Sequence, residues 1–144
     1  PQIRLTGIFM IRDVRGVVDS FGKNVQTPKT PMASLVYYGL INTFGEIVYR
    51  LSSNVIKLRY EDFVNNPQKE VLKILKHLKV DDPVEFALPN EFNMPHIVGG
   101  NRLKTQSSLA INPDEAWKKR IPRWRQVAYY VALWPLMLIN RYKP

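Results

Sequence analysis

The sequence contains no cysteine and only two histidines, His77 and His96, which lie far apart in the chain. That excludes a disulfide framework, a thiolate metal site and a cysteine nucleophile, and it argues against a histidine-based zinc site. Acids are scarce: 12 Asp and Glu stand against 21 Lys and Arg, giving a formal charge of +9. Such an excess favours an anionic partner, whether nucleotide, phosphate, sulfate, nucleic acid or acidic lipid, without choosing among them. No apolar run reaches the roughly 20 residues that a membrane-spanning helix needs. The most apolar stretch, residues 127–139, is interrupted by Pro135 and flanked by Arg123, Arg125, Arg141 and Lys143. It is expected to form a buried C-terminal helix, with a peripheral membrane contact through Trp134 as the sharper alternative. The phosphate-loop pattern GxxxxGK[ST] is also missing.

What is present is ordinary for a globular domain. The 144 residues are 45% hydrophobic and 23% charged, enough for one domain, 1–144, with its own core. The sequence begins with Pro1, and residues 1–5 carry no signal-peptide or lipidation pattern. The chain is therefore expected to start inside a longer protein.

Hydrophobic patterning gives the element order. Ile8–Ile11 is a continuous apolar run, as in a strand buried on both faces of a parallel sheet. A helical pattern follows over residues 14–21 and stops at Gly22. Thr30-Pro31 reads as an N-cap and first helical residue. Met32, Leu35, Val36, Leu40, Phe44, Ile47, Val48 and Leu51 then recur at helical spacing, with Gly39 and Gly45 marking close packing or a kink. Residues 55–60 are the second strand candidate, and Asn66-Pro67 opens a helix with an apolar stripe of Val71, Ile74, Leu75 and Leu78. Residues 82–101, with three prolines and ending in Gly99-Gly100, are expected to be an irregular connection or a mobile loop. Asn112-Pro113-Asp114-Glu115 is expected to open a short helix with acids in its first turn and Trp117 on it. A last helix is expected from about Pro122 to Ile139, bent at Pro135. The alternation of strands and helices is an α/β pattern. Two buried strands alone make a poor sheet, so further strands are expected upstream of Pro1 or from a partner, a second sign of truncation.

Three constellations could carry chemistry. In parallel α/β sheets, ligands gather beyond the carboxyl ends of the strands. Arg12 stands at such an end, and its planar donor fork suits a phosphate. Ser20 follows on the next helix with a hydroxyl that can donate to the same anion. The plainer alternative for Arg12 is an ion pair with Asp13 or a distant carboxylate. Tyr60 ends the second strand, where it can stack on or hydrogen-bond a purine; alternatively it closes the core while Glu61 and Asp62 open a turn. The third constellation, His96 to Lys104, pairs glycines that admit close approach of an anion with the cations Arg102 and Lys104. Its alternative is a solvated basic loop.

In this order, IFMIRDVRGVVDSF, LRYEDFVNNPQKEVLKIL, HIVGGNRLK and INPDEAWKK, with LMLINRYKP as a closing segment, resemble the C-terminal portion of a sulfotransferase that uses 3′-phosphoadenosine-5′-phosphosulfate (PAPS). The resemblance implies a P-loop-like three-layer α/β fold with a central parallel sheet, incomplete at its N-terminal side. It implies PAPS as co-substrate, no metal, and transfer of a sulfuryl group to a hydroxyl or amine of a carbohydrate, lipid or small alcohol. Arg12 and Ser20 match the residues that hold the 3′-phosphate, and Tyr60 matches the one beside the adenine. Gly100, Asn101, Arg102 and Lys104 match the loop that closes over the 3′-phosphate end. Val14 replaces a proline common in the family. The 5′-phosphosulfate loop and the catalytic base would lie upstream of the matched region, so no catalytic residue is assigned, and this chain alone is expected not to transfer sulfate. Two rival classes remain: a non-catalytic basic module binding nucleic acid or acidic lipid, and a nucleotide kinase-like fragment requiring magnesium. The absence of an aromatic-basic strand motif argues against a nucleic-acid partner.

Overall fold

Two short parallel strands organise the chain. The computed structural model describes residues 5–23, 28–80, 91–93 and 108–144. Strand β1 (Gly7–Ile11) pairs in parallel with β2 (Val55–Arg59), with Gly7 opposite Val55 and Ile11 opposite Arg59. Helix α1 (Val14–Gly22) follows β1, and the long helix α2 (Pro31–Leu51) leads back to β2. After β2 come α3 (Tyr60–Asn65) and α4 (Pro67–His77). A separate antiparallel pair joins β3 (Glu91–Asn93) to β4 (Ser108–Ala110). The chain closes with α5 (Trp117–Arg120), α6 (Arg123–Ala132) and α7 (Trp134–Ile139). The result is an α/β structure, mostly helical, around a two-stranded parallel sheet.

The helix starts follow from capping chemistry. Thr30 Oγ1 accepts from the Ala33 N–H at 3.2 Å, with Pro31 in the first turn, and Asn66 Oδ1 does the same for Lys69 ahead of Pro67. Asp13 caps α1 by accepting from the Arg15 N–H at 2.9 Å.

The core gathers Ile11, Val14, Val18, Tyr38, Tyr130, Leu136, Met137 and Tyr142. Helix α2 crosses the face of the sheet that carries Phe9 and Lys57. At Gly45 a Cβ would stand 2.4 Å from Phe9 Cε2, so only glycine lets helix and ring approach this closely. Gly45→Ala gains in helix propensity but forces the ring aside, and overpacking of that kind costs about 1–3 kcal/mol. A net loss of stability in urea denaturation is the expected outcome; a stabilised variant would contradict this packing.

Several expectations are corrected. β1 is not buried on both faces: Ile11 is buried, but Ile8 and Met10 on the other face are about half exposed. β2 ends at Arg59, because Tyr60 already begins α3, a helix the turn-like YED segment concealed. Asp114 and Glu115 precede α5 rather than forming its first turn. The C-terminal helix breaks at Leu133, two residues before the expected bend. Pro135 lacks an N–H for the carbonyl of Val131, and its ring crowds that carbonyl, so the chain departs upstream of the proline and restarts with Pro135 in the first turn of α7. This C-terminal segment is only half buried: Leu136 and Met137 point inward, while Trp134 and Leu138 are exposed.

Candidate functional site

The carboxyl ends of β1 and β2 lie side by side, and the residues just beyond them build one polar centre. Asp13 and Arg15 form a bidentate pair, Nε to Oδ1 at 3.0 Å and Nη2 to Oδ2 at 2.7 Å, with both side chains 7% exposed. Arg15 Nη2 also donates to the Lys143 carbonyl at 2.7 Å, tying α1 to the C-terminal segment. The guanidinium lies between aromatic rings, 4.9 Å from Trp117 and 5.8 Å from Tyr130. Glu61, on α3, accepts from the Asp13 N–H at 3.0 Å and from the Tyr142 hydroxyl at 2.7 Å. Burial and the Glu61 charge push the Tyr142 hydroxyl far up, so it stays protonated and remains a donor. Burial likewise raises Tyr38, whose hydroxyl donates to the Arg12 carbonyl at 2.7 Å.

A cavity of about 640 Å³ opens beside this centre. Asp13, Arg15, Tyr60 and Glu61 line its inner wall, and Lys118, Lys119, Arg123 and Lys143 contribute cations around it. Its size falls in the range of small-molecule sites.

The predicted residues occupy this region unequally. Arg12 and Tyr60, far apart in sequence, meet: the Arg12 guanidinium lies 4.4 Å from the Tyr60 ring centroid. Tyr60 lines the cavity. Arg12 is not among the lining residues but touches two of them, stacking on Tyr60 and donating from Nη2 to Asp114 Oδ2 at 3.0 Å. The distant-carboxylate pairing considered for Arg12 is therefore made, and by Asp114 rather than Asp13. Ser20 is exposed in the last turn of α1 and does not line the cavity. Gly100, Asn101, Arg102 and Lys104, with His96, lie outside the described residues.

Sequence reasoning missed the strap that runs along α1. Residues 114–120 contact three successive positions beside that helix. Asp114 holds Arg12, Trp117 stands against Gly16, and Arg120 donates to Asp19 Oδ2 at 2.6 Å. A Cβ on Gly16 would meet Arg12 Nε at 3.0 Å and the Trp117 indole at 3.2 Å, so this glycine admits both groups to the helix surface. The strap thus covers the stretch between Arg12 and Ser20. Its ion pairs cross 102 and 101 residues of sequence, a separation that no local pattern reports. The one available signal was the Asp114-Glu115 pair, read instead as a helix start.

The strap is pH-sensitive in a calculable direction. The hydrogen bond from Arg12 holds the Asp114 carboxyl below the usual carboxylate range, against a smaller opposing effect of partial burial. Burial raises Asp19, but Arg120 and Lys23 together outweigh it and the net shift is downward. A carboxyl depressed in the folded state adds stability above its unfolded pKa and loses it as pH falls through the folded value. The strap is expected to stay closed at neutral pH and to loosen only in acid below the ordinary carboxylate range. The Trp117 indole resonance in an NMR pH titration reports this; a transition near neutrality would contradict it.

Among the described residues no cluster of three or more His, Asp or Glu is placed to hold a metal ion. No family model matches the chain, and no curated protein or solved structure matches it.

Proposed function

We propose that this chain carries the 3′-phosphate and adenine-binding half of a PAPS-dependent sulfotransferase domain. The observation that carries the reading is the meeting of Arg12 and Tyr60 at the carboxyl ends of adjacent parallel strands, beside a cation-edged cavity. Two motifs far apart in sequence, singled out independently for an anion and for a purine, lie within one nucleotide's reach. The parallel pair with helices packed on it is compatible with part of a three-layer P-loop-like sheet.

In this reading Arg12 binds the 3′-phosphomonoester through its donor fork, and Ser20 donates its hydroxyl to the same group. Tyr60 flanks the adenine. Asp114 is the internal anion that the phosphate displaces, and Gly100, Asn101, Arg102 and Lys104 close over the phosphate from the following loop. In the transfer step the acceptor hydroxyl or amine loses its proton to a base and attacks sulfur. The sulfur–oxygen bond to the 5′-phosphate breaks, and adenosine 3′,5′-bisphosphate leaves. The residues named here contribute by holding and orienting the donor, which lowers the entropic cost of the in-line geometry. The acceptor would be a carbohydrate, lipid or small alcohol.

A calorimetric comparison of adenosine 3′,5′-bisphosphate with ATP–magnesium tests the class. The bisphosphate is expected to bind without magnesium and to outcompete ATP. Preference for ATP–magnesium would point to a kinase-like protein and overturn the proposal. Affinity that collapses with salt and ignores the bisphosphate would point to a basic module instead.

A further inference from the structure

The peptide unit that joins Arg12 to Asp13 is held on both of its polar atoms by side chains from distant elements. Its carbonyl, on Arg12, accepts from the Tyr38 hydroxyl of α2 at 2.7 Å. Its N–H, on Asp13, donates to Glu61 Oε1 of α3 at 3.0 Å. The other Glu61 oxygen accepts from the Tyr142 hydroxyl at 2.7 Å, and that hydroxyl lies 3.4 Å from the Ile11 carbonyl, one peptide earlier. Tyr38 belongs to the buried stripe of α2 with Ser34, Asn42 and Glu46, which are bonded to the Thr30 carbonyl, the Tyr38 carbonyl and Lys57. Tyr38 and Tyr142 are 3% and 5% exposed, so water competes little for these bonds.

The β1–β2 ladder ends at Ile11 and Arg59, so this peptide lies just beyond it and no strand partner fixes it. Side chains 26 and 48 residues away do so instead. Glu61 is available for the task because it caps nothing on its own helix. Both of its oxygens are engaged by Asp13 and Tyr142, and the N-cap residue of α3, Arg59, makes no side-chain cap. The preceding residue, Tyr60, lies 4.4 Å from the Arg12 guanidinium. Two consecutive residues of α3 thus hold the two ends of Arg12: Glu61 its peptide and Tyr60 its charged tip. The remaining restraint on the tip is Asp114, which a phosphate would displace. A planar donor fork fits a phosphate from a limited set of directions. An arginine side chain has several rotatable bonds, and ordering them weakens binding unless it is done in advance. A planar peptide held on both polar atoms cannot turn, which fixes the direction in which the Arg12 side chain leaves the backbone.

We propose that Tyr38 and Glu61 are positioning residues for the 3′-phosphate: by holding the Arg12–Asp13 peptide they aim the Arg12 fork and set its selectivity without bonding to the phosphate themselves. This role rests on the nucleotide reading of the site, and the test separates the two. Isothermal titration calorimetry on the full chain compares adenosine 3′,5′-bisphosphate with adenosine 5′-monophosphate. The proteins are the unaltered chain, Tyr38→Phe, Glu61→Ala and Glu61→Gln, and the same three substitutions combined with Arg12→Ala. Tyr38→Phe and Glu61→Ala are each expected to lower affinity for the bisphosphate about tenfold and to leave the monophosphate unchanged. Glu61→Gln keeps an oxygen for the Asp13 N–H and is expected to stay within about twofold of the unaltered chain. Combined with Arg12→Ala, none of the three is expected to change either affinity further, because each acts through that side chain. Equal losses for both nucleotides, or losses that persist without Arg12, would assign Tyr38 and Glu61 to the fold alone and overturn the proposal. Unchanged bisphosphate affinity in Tyr38→Phe and Glu61→Ala overturns it too, and leaves the nucleotide reading standing where the unaltered chain prefers the bisphosphate. An unaltered chain without that preference overturns both. Should circular dichroism show Glu61→Ala unfolded, Tyr38→Phe, which deletes a single oxygen, decides; loss of the fold there as well counts against the proposal.

Discussion

Asp13→Ala is expected to destabilise the protein by about 3–5 kcal/mol, the usual cost of removing one member of a buried ion pair. The carboxylate is the partner of an Arg15 guanidinium that is 7% exposed and enclosed by Trp117 and Tyr130. Without it, Arg15 keeps one bond to the Lys143 carbonyl and loses its counter-charge. The same carboxylate caps α1, and losing a cap adds about 1 kcal/mol. Asp13→Asn retains the capping oxygen but not the charge and is expected to fall between. Arg15→Met in the Asp13→Ala background removes the stranded cation and is expected to recover part of the loss, because apolar replacement of a buried pair is often near neutral. Urea denaturation of the four proteins measures all of this. A loss below about 1 kcal/mol for Asp13→Ala, the range of a surface pair, would mean that the pair is solvated.

Arg12→Ala is expected to lower affinity for adenosine 3′,5′-bisphosphate by about 100-fold. A charge-assisted hydrogen bond contributes about 1.5–3 kcal/mol, and each 1.4 kcal/mol is a factor of ten. Arg12→Lys keeps the charge and loses the fork, so an intermediate loss of about tenfold is expected. The fold should be spared, since Arg12 pairs with a carboxylate that is 44% exposed, and such pairs contribute about 0–1 kcal/mol. Asp114→Asn acts in the opposite direction. It removes the anion that competes with the phosphate, and tighter binding by several-fold is expected. If both substitutions weakened binding equally, Asp114 would be supporting the ligand rather than yielding to it.

Much of this arrangement was legible in the sequence, and for local reasons. Thr30-Pro31 and Asn66-Pro67 announce helix starts because a capping side chain and a fixed φ act within four residues. The apolar run at residues 8–11 and the strand candidate at 55–60 announced two strands; the rule that ligands gather at strand ends singled out Arg12, and only the family resemblance put Arg12 and Tyr60 on one nucleotide. What escaped was set by distance or by surroundings. Periodicity located α2 but did not say which side faces in, because Ser34, Asn42 and Glu46 are satisfied by partners that the helical pattern does not encode. The strap depends on Asp114 and Arg120 reaching residues about a hundred positions away. The break at Leu133 sits upstream of Pro135 because the steric conflict of proline falls on the preceding turn.

The most direct test compares adenosine 3′,5′-bisphosphate with adenosine 5′-monophosphate on the unaltered chain by isothermal titration calorimetry. The two ligands differ only in the 3′-phosphate. The account predicts that the bisphosphate binds about 100-fold more tightly, and that Arg12→Ala removes most of the difference, leaving the share that Ser20 supplies, without affecting the weaker ligand. Equal affinities for the two nucleotides in the unaltered protein would contradict the assignment of Arg12 and Ser20 to a ribose phosphate.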